Sequence, residues 1–187
     1  MSKSLWIECG IIAVLVGVVI SLVWGRANHP LRTGDKAPGF TLQQVNASSF
    51  SFRDRGHDVV LVNFWATWCP PCVEEAPSLE KFAQQMKPLG IRVIGVSVDQ
   101  NLAALQKFVA GYHLTYSILR DPNQSLAARF GTFKFPETYI FGRDGRLVDK
   151  IIGATDWEDP RMSQFISALA DWKSAPRPQK AAAATGY

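Results

Sequence analysis

The chain opens with a run of 20 residues, Leu5 to Trp24, that is apolar apart from Glu8 and Ser21. At a helical rise of 1.5 Å per residue such a run spans about 30 Å, the thickness of a bilayer's hydrocarbon core. Trp6 and Trp24 stand near its ends, where interfacial aromatics belong. The pattern predicts a transmembrane signal-anchor over residues 1–24. A cleaved signal peptide is the rival reading, but Trp24-Gly25-Arg26 is a poor small-x-small cleavage site. Glu8 is expected to snorkel to the headgroups, and Cys9 to act as a small apolar filler.

Shorter apolar runs follow. Val59 to Phe64 and Ile91 to Val98 are rich in β-branched residues and read as buried strands, with Tyr116 to Leu119 a shorter one. Phe40–Val45 and Ser49–Phe52 alternate apolar and polar around Asn46-Ala47-Ser48, which predicts a β-hairpin. Glu137–Phe141 and Leu147–Ile152 do the same around Gly142-Arg143-Asp144-Gly145. Helical spacing appears in Cys72, Ala76, Leu79, Phe82 and Ala83, and again in Leu102, Leu105, Phe108 and Val109 within Asn101–Ala110. Ser125–Phe130 reads as a short helix ending at Gly131. Asp159-Pro160 starts a last helix with the stripe Met162, Phe165, Ile166 and Leu169. A strand, helix and strand over 59–98 imply a parallel pair with a right-handed crossover, hence an α/β domain.

Residues 25–35 form a linker within the polar stretch GRANHPLRTGDKAP, 36–173 the α/β domain, and 174–187 a tail. The tail, SAPRPQKAAAATGY, has no periodicity and is expected to be disordered. The net charge of +4 is modest, and no basic helix with base-reading residues points to nucleic acid. Lys3 and the amino terminus on one side, against Arg26, Arg32 and Lys36 on the other, slightly favour keeping the C-terminal side in the cytoplasm. His57 lies in the polar turn RDRGHD and is expected at the surface.

Chemistry concentrates in VVLVNFWATWCPPCVEEAPSLE, Val59 to Glu80. A strand delivers Cys69 and Cys72 to the start of a helix, with Pro70 and Pro71 between them. The first helical turn carries unpaired N–H groups and the positive end of the macrodipole, which favour thiolate over thiol. A free cysteine titrates near about 8.5, and C-x-x-C sites lower this to roughly 3.5–7.5. Cys69, beside Trp68, is the expected exposed nucleophile, and Cys72 the buried resolving thiol. Proline suits the first turn, where its missing N–H costs nothing. Pro70 and Pro71 also remove two donors that would have solvated the sulfur.

FWATWCPPC resembles the thioredoxin superfamily, and CVEEAP after it is similar to the membrane-anchored TlpA/ResA-type thiol-disulfide oxidoreductases. The resemblance runs from about Lys36 to Trp172. It implies a thioredoxin-like fold, a central mixed sheet flanked by helices, with an N-terminal β-hairpin. Thioredoxins usually hold a buried Asp where this chain has Asn63, which moves no proton. TlpA/ResA-type proteins instead carry a Glu three residues after the second cysteine, here Glu75. A partly buried carboxylate there would have a raised pKa and exchange protons with Cys72. Otherwise Glu75 is a first-turn glutamate complementing the helix dipole. Glu74 reads as solvated surface, and Pro77 falls where the family's helix kinks.

FKFPETYI resembles the loop in which a cis proline faces the cysteines, so Phe135–Pro136 is expected to be cis. For X-Pro this costs only about 0.5–1 kcal/mol. An ordinary trans proline opening an edge strand is the alternative. Residues 101–119 exceed a minimal thioredoxin and resemble the insertion of TlpA-type members. The resemblance also places the domain on the periplasmic side of the inner membrane, against the charge count. It implies a reductase of protein disulfides that takes electrons from a membrane thiol-disulfide donor. Apocytochrome c is among the substrates it implies. No cofactor is expected beyond a redox-active Cys69–Cys72 disulfide.

Other readings of the cysteines fare worse. Zinc needs four ligands, and beyond the pair only Cys9 and scattered His29, His57 and His113 remain. A peroxiredoxin-like peroxidase needs Pro seven residues, and Thr or Ser three residues, before its cysteine, where this chain has Val62 and Ala66. A membrane-tethered binding module with a structural disulfide would not need a helix start, two flanking tryptophans and a proline loop.

Overall fold

The computed structural model describes residues 10–19, 21, 29–46 and 49–171. Its elements run β1 (Thr41–Gln43), β2 (Ser49–Ser51), β3 (Val59–Trp65), α1 (Pro70–Met86), β4 (Ile91–Ser97), α2 (Leu102–Gly111), β5 (Ser117–Arg120), α3 (Ser125–Phe130), β6 (Glu137–Phe141), β7 (Leu147–Ile152) and α4 (Pro160–Asp171). The main sheet has the order β5-β4-β3-β6-β7. Strands β3, β4 and β5 are parallel, while β6 and β7 are antiparallel to their neighbours. This is the mixed sheet expected from the sequence, with β5 added on the parallel edge.

Every residue of β3 is buried. The strand reads as a continuous apolar run because both faces of the sheet are covered. Its side chains alternate between two cores. Val59 and Leu61 join Leu79, Phe82, Met86 and Ile166 beneath α1 and α4. Val60, Val62 and Phe64 join Leu105, Phe130, Tyr139 and Phe141 on the other face. Phe64, Phe130 and Tyr139 meet edge to face with centroids 5.1–5.8 Å apart, and Phe40 and Phe52 extend the group to the hairpin. Asn63 takes the α1 face, and there it meets the site.

The hairpin β1–β2 forms as expected, and Val45 N–H donates to Ile118 O on the edge strand at 2.9 Å. Residues just before it also bind the domain. Leu31 N–H donates to Phe130 O, and Gly34 N–H to Leu147 O. Gly131 permits this strap: it caps α3 with φ +76°, and a Cβ there would stand 2.6 Å from Pro30. In α4 the expected stripe is off by one member. Phe165 is 39% exposed, and Ala170 is buried instead. The helix packs through the face led by Ile166, and Phe165 falls at its margin.

Of the proposed span Leu5 to Trp24, residues 10–19 and 21 are described, as helix; the rest lies outside the described residues. Among the described residues, no helix is long and apolar enough to cross a membrane. The proposed tail 174–187 also lies outside the described residues.

Candidate active site

Strand β3 hands the chain to a short loop that is tied down from one side. Trp65 O accepts from Val98 N–H at 3.0 Å. Thr67 donates its hydroxyl to Asp99 Oδ1 at 2.6 Å and its N–H to Asp99 Oδ2 at 3.0 Å. Ser97 Oγ–H donates to the same carboxylate at 2.7 Å. The end of β4 therefore fixes where Trp68 and Cys69 emerge. Sequence reading passed over Thr67 and Asp99, which meet only because β3 and β4 pair in register.

Cys69 is the N-cap of α1, with extended backbone, and Pro70 and Pro71 occupy the first helical positions. The next two amides, of Cys72 and Val73, both donate to Cys69 O, at 3.0 and 3.1 Å. Two first-turn amides are thus absent, as the prolines imply, and the next two are taken, which leaves the field of the helix end acting on the sulfur.

Cys69 and Cys72 are joined as a disulfide, with Cα atoms 5.3 Å apart. Cys69 is only 5% exposed, against the expectation of an exposed nucleophile. Bonded to Cys72, it packs into the core with Trp65, Ala66 and Ala76. The exposed group at the rim is Trp68, at 63%, whose ring meets Phe135 edge to face at 6.1 Å. The Phe135–Pro136 peptide is cis, and Gly153 N–H donates to Pro136 O at 2.8 Å.

Glu75 follows one turn after Cys72, on the same face of α1, and is 5% exposed. It lies beyond the first turn of α1, which holds no acidic residue, and Glu74 is the exposed neighbour. Glu75 Oε1 accepts from Trp157 Nε1–H at 2.6 Å and from Thr155 N–H at 3.2 Å. Burial pushes the carboxyl from 4.5 up to about 7, while Trp157, Thr155 and Asn63 pull in the other direction. Asn63 also donates from Nδ2 to Thr138 Oγ1 at 2.9 Å, which links β3 to the strand after the proline. Helix α1 continues through Pro77.

Further buried acids, Glu137 and Glu80 among them, escaped sequence reading. Glu137, directly after Pro136, is fully buried and pairs with Lys150 Nζ at 2.7 Å. Glu80 lies on α1 and accepts from Thr115 and Gln84. Cavities of about 640 and 160 Å³ open by Asp58, Arg92 and Tyr116 and by Gln44 and Leu114; neither is lined by the disulfide or the proline loop.

Comparison with known proteins fits this geometry. The AhpC/TSA family pattern matches residues 33–150. The chain belongs to this family. Within it the chain is of the ResA type, in the thioredoxin superfamily. Thiol-disulfide oxidoreductase ResA of Oceanobacillus iheyensis is 30% identical over 167 residues, covering 86% of each chain. ResA of Bacillus subtilis is 25% identical over 154 residues, covering 81% of this chain and 86% of its own. A structure assigned as the thiol:disulfide interchange protein DsbE of Chlorobium tepidum superposes with a TM-score of 0.70 at 26% identity, over 75% of this chain and 99% of that one. The thioredoxin domain of a Bacteroides vulgatus thiol-disulfide oxidoreductase shares the fold, with a TM-score of 0.65 at 24% identity over 73% and 99%. This ResA-type chain thus carries its cysteine pair and its proline loop on the fold of these neighbours.

Proposed function

We propose that this thiol-disulfide oxidoreductase reduces protein disulfides outside the cytoplasm. The observation that carries the reading is the Cys69–Cys72 pair at the start of α1, with a buried carboxyl titrating near neutrality one turn on. In the reduced chain, Cys69 thiolate attacks a substrate disulfide sulfur. A mixed disulfide forms, and the first substrate sulfur leaves as thiolate. Cys72 then gives its proton to Glu75, and its sulfur attacks Cys69 Sγ. The bond to the substrate breaks, and its electron pair leaves with the second substrate sulfur. The substrate is reduced by two electrons, and the chain is left as the disulfide with Glu75 neutral. In this reading Trp68, Pro70, Pro71, Phe135 and Pro136 support the site, Trp68 and Phe135 through their ring contact. The peroxidase reading gains nothing from the family name, since Val62 and Ala66 stand where that chemistry needs proline and a hydroxyl.

Insulin reduction by the full chain with a dithiol donor tests the activity. Cys69→Ser should abolish it, and a wild-type chain without activity would mark the disulfide as structural. Glu75→Gln should slow product release about 100-fold, the usual weight of one general acid–base group. Direction depends on the Cys69/Cys72 potential, for which 30 mV corresponds to about 1.4 kcal/mol at two electrons. A potential near that of the strong periplasmic oxidants would overturn the reductase assignment.

The apolar run Leu5–Trp24 and the family resemblance support a single-pass anchor in the inner membrane with the domain in the periplasm. A membrane-impermeant thiol reagent should then label reduced Cys69 in whole spheroplasts; protection would reverse the orientation. Electrons come from a membrane thiol-disulfide donor, and apocytochrome c cysteines are a substrate, so the chain acts in cytochrome c maturation. Deleting the gene should lower covalently haem-bearing cytochromes, and unchanged levels would remove this role.

A further inference from the structure

We propose that Trp157 is the positioning residue for proton transfer between Cys72 and Glu75, its indole N–H holding Glu75 Oε1 so that the carboxylate faces the resolving sulfur. This rests on the reading of Glu75 as the proton carrier and names the group that aims it. Trp157 is nearly fully buried, and its single polar atom is spent on Glu75 Oε1 at 2.6 Å. Its ring is wedged against Phe82 with centroids 5.1 Å apart, so the donor has little freedom to swing away. Thr155 N–H takes the same oxygen from the same loop, between β7 and α4, at 3.2 Å. Both donors hold one oxygen of a carboxylate that lies one turn after Cys72 on the same face of α1.

The surroundings leave this indole in an unusual position. On α1, the neighbouring titratable groups are Cys72 above and Glu80 below. Glu80 is already bonded to Thr115 and Gln84. From β3 comes uncharged Asn63, which also draws the Glu75 titration down. Tyr116, at the entry to β5, has a hydroxyl pushed up by burial and then by the charges of Glu80 and Glu75. On the 153–159 loop Asp156 is exposed, and Glu158 is turned outward to Lys81 at 2.6 Å. No cation faces Glu75 among these groups. A neutral N–H donor therefore stabilises the carboxylate without holding it permanently ionised, as an arginine would. Thr155 and Trp157 follow β7 about 80 residues after Glu75, and nothing in the spacing of the chain joins them to it.

The proton balance is simple. Cys72 S–H loses its proton to Glu75, Glu75 becomes neutral, and Trp157 N–H remains bonded throughout. The test uses the full chain in the oxidised form, where neither active-site cysteine titrates. A ¹³C-carboxyl titration, with Glu75 assigned by its loss in Glu75→Gln, should give a midpoint near 7 in wild type. In Trp157→Phe the midpoint should rise by about one pH unit, because a bond to the charged form is lost. Product release in a single turnover at pH 7 should fall about five-fold in the same variant, as the ionised fraction drops from about a half to about a tenth. The deficit should close toward pH 9. Phe82→Leu is the packing control: it should lower the melting temperature and leave the midpoint in place. A midpoint unmoved by Trp157→Phe, or moved as far by Phe82→Leu, overturns the proposal. If Glu75→Gln releases product at the wild-type rate, the proton-carrier reading itself fails, whatever Trp157→Phe does to the titration.

Discussion

Helix α1 buries two glutamates, Glu75 and Glu80, little more than a turn apart, and the protein treats them differently. Glu80 receives Thr115 N–H at 2.8 Å, the Thr115 hydroxyl at 2.5 Å and the Gln84 amide at 2.6 Å, with both carboxylate oxygens engaged. It ties α1 to the entry of β5. Glu75 accepts from Trp157 and Thr155 on Oε1, has Asn63 as a further side-chain partner, and follows one turn after a cysteine. Burial outweighs those bonds, and the carboxyl titrates near 7. The same side chain on the same helix is thus a fastener between elements at one position and a carboxyl titrating near 7 at the other. Burial alone does not separate the two, since both are nearly inaccessible. Their partners do: Glu80 meets the entry of β5, and Glu75 meets the loop after β7.

The largest expected effect comes from removing the fastener. Glu80→Ala leaves the Thr115 N–H and hydroxyl without an acceptor inside the fold. Denaturant unfolding should show a loss of about 4 kcal/mol, with disulfide reduction per folded molecule unchanged. Little loss of stability would erase the distinction between the two acids.

The pH dependence of stability that Glu75 contributes is next in size. Its folded value lies above the unfolded one, so the fold favours the neutral form. That contribution is fully present below 4.5 and is lost as pH rises to about 7. Unfolding of the oxidised wild type should therefore become about 3 kcal/mol easier across this window, and Glu75→Gln should remove that slope. A wild-type slope that survives in Glu75→Gln would assign the titration to another group.

The smallest effect is expected at the rim of the same helix. Lys81 and Glu158 pair at 2.6 Å with side chains 62% and 50% exposed. Lys81→Ala should change unfolding by less than about 0.5 kcal/mol and leave the Glu75 titration alone. A shift in that titration would mean that surface charge, and not the buried donors, governs the carboxyl.

Much of the molecule was legible in advance because it depends on local rules. Val59–Phe64 has to be a covered strand, since its apolar side chains point both ways. Cys69 has to cap a helix, since two prolines follow and an apolar stripe begins at Cys72. The pairings β1–β2 and β6–β7 follow from the alternation on either side of turn-forming residues. The cis Phe135–Pro136 peptide was reached by resemblance, and the structure contains it. Misjudged features depend on what arrives from elsewhere. The near-burial of Cys69 comes from its packing with Trp65, Ala66 and Ala76 once bonded to Cys72. Phe165 is exposed because α4 turns a slightly different face to the sheet.

By itself, then, the sequence determined a cysteine pair at a helix start, an acid one turn below it, and the alternating strands that carry both. Those features follow from dihedral preferences and from the periods of helix and strand. Only the tertiary structure decided what Glu75 is. Its donors on Oε1 come from Thr155 and Trp157, 80 and 82 residues away, and its solvent is removed by the closure of α1 and α4 over the sheet. Ionisation responds to the local dielectric and to the donors within reach, and a linear sequence sets neither until the chain has folded.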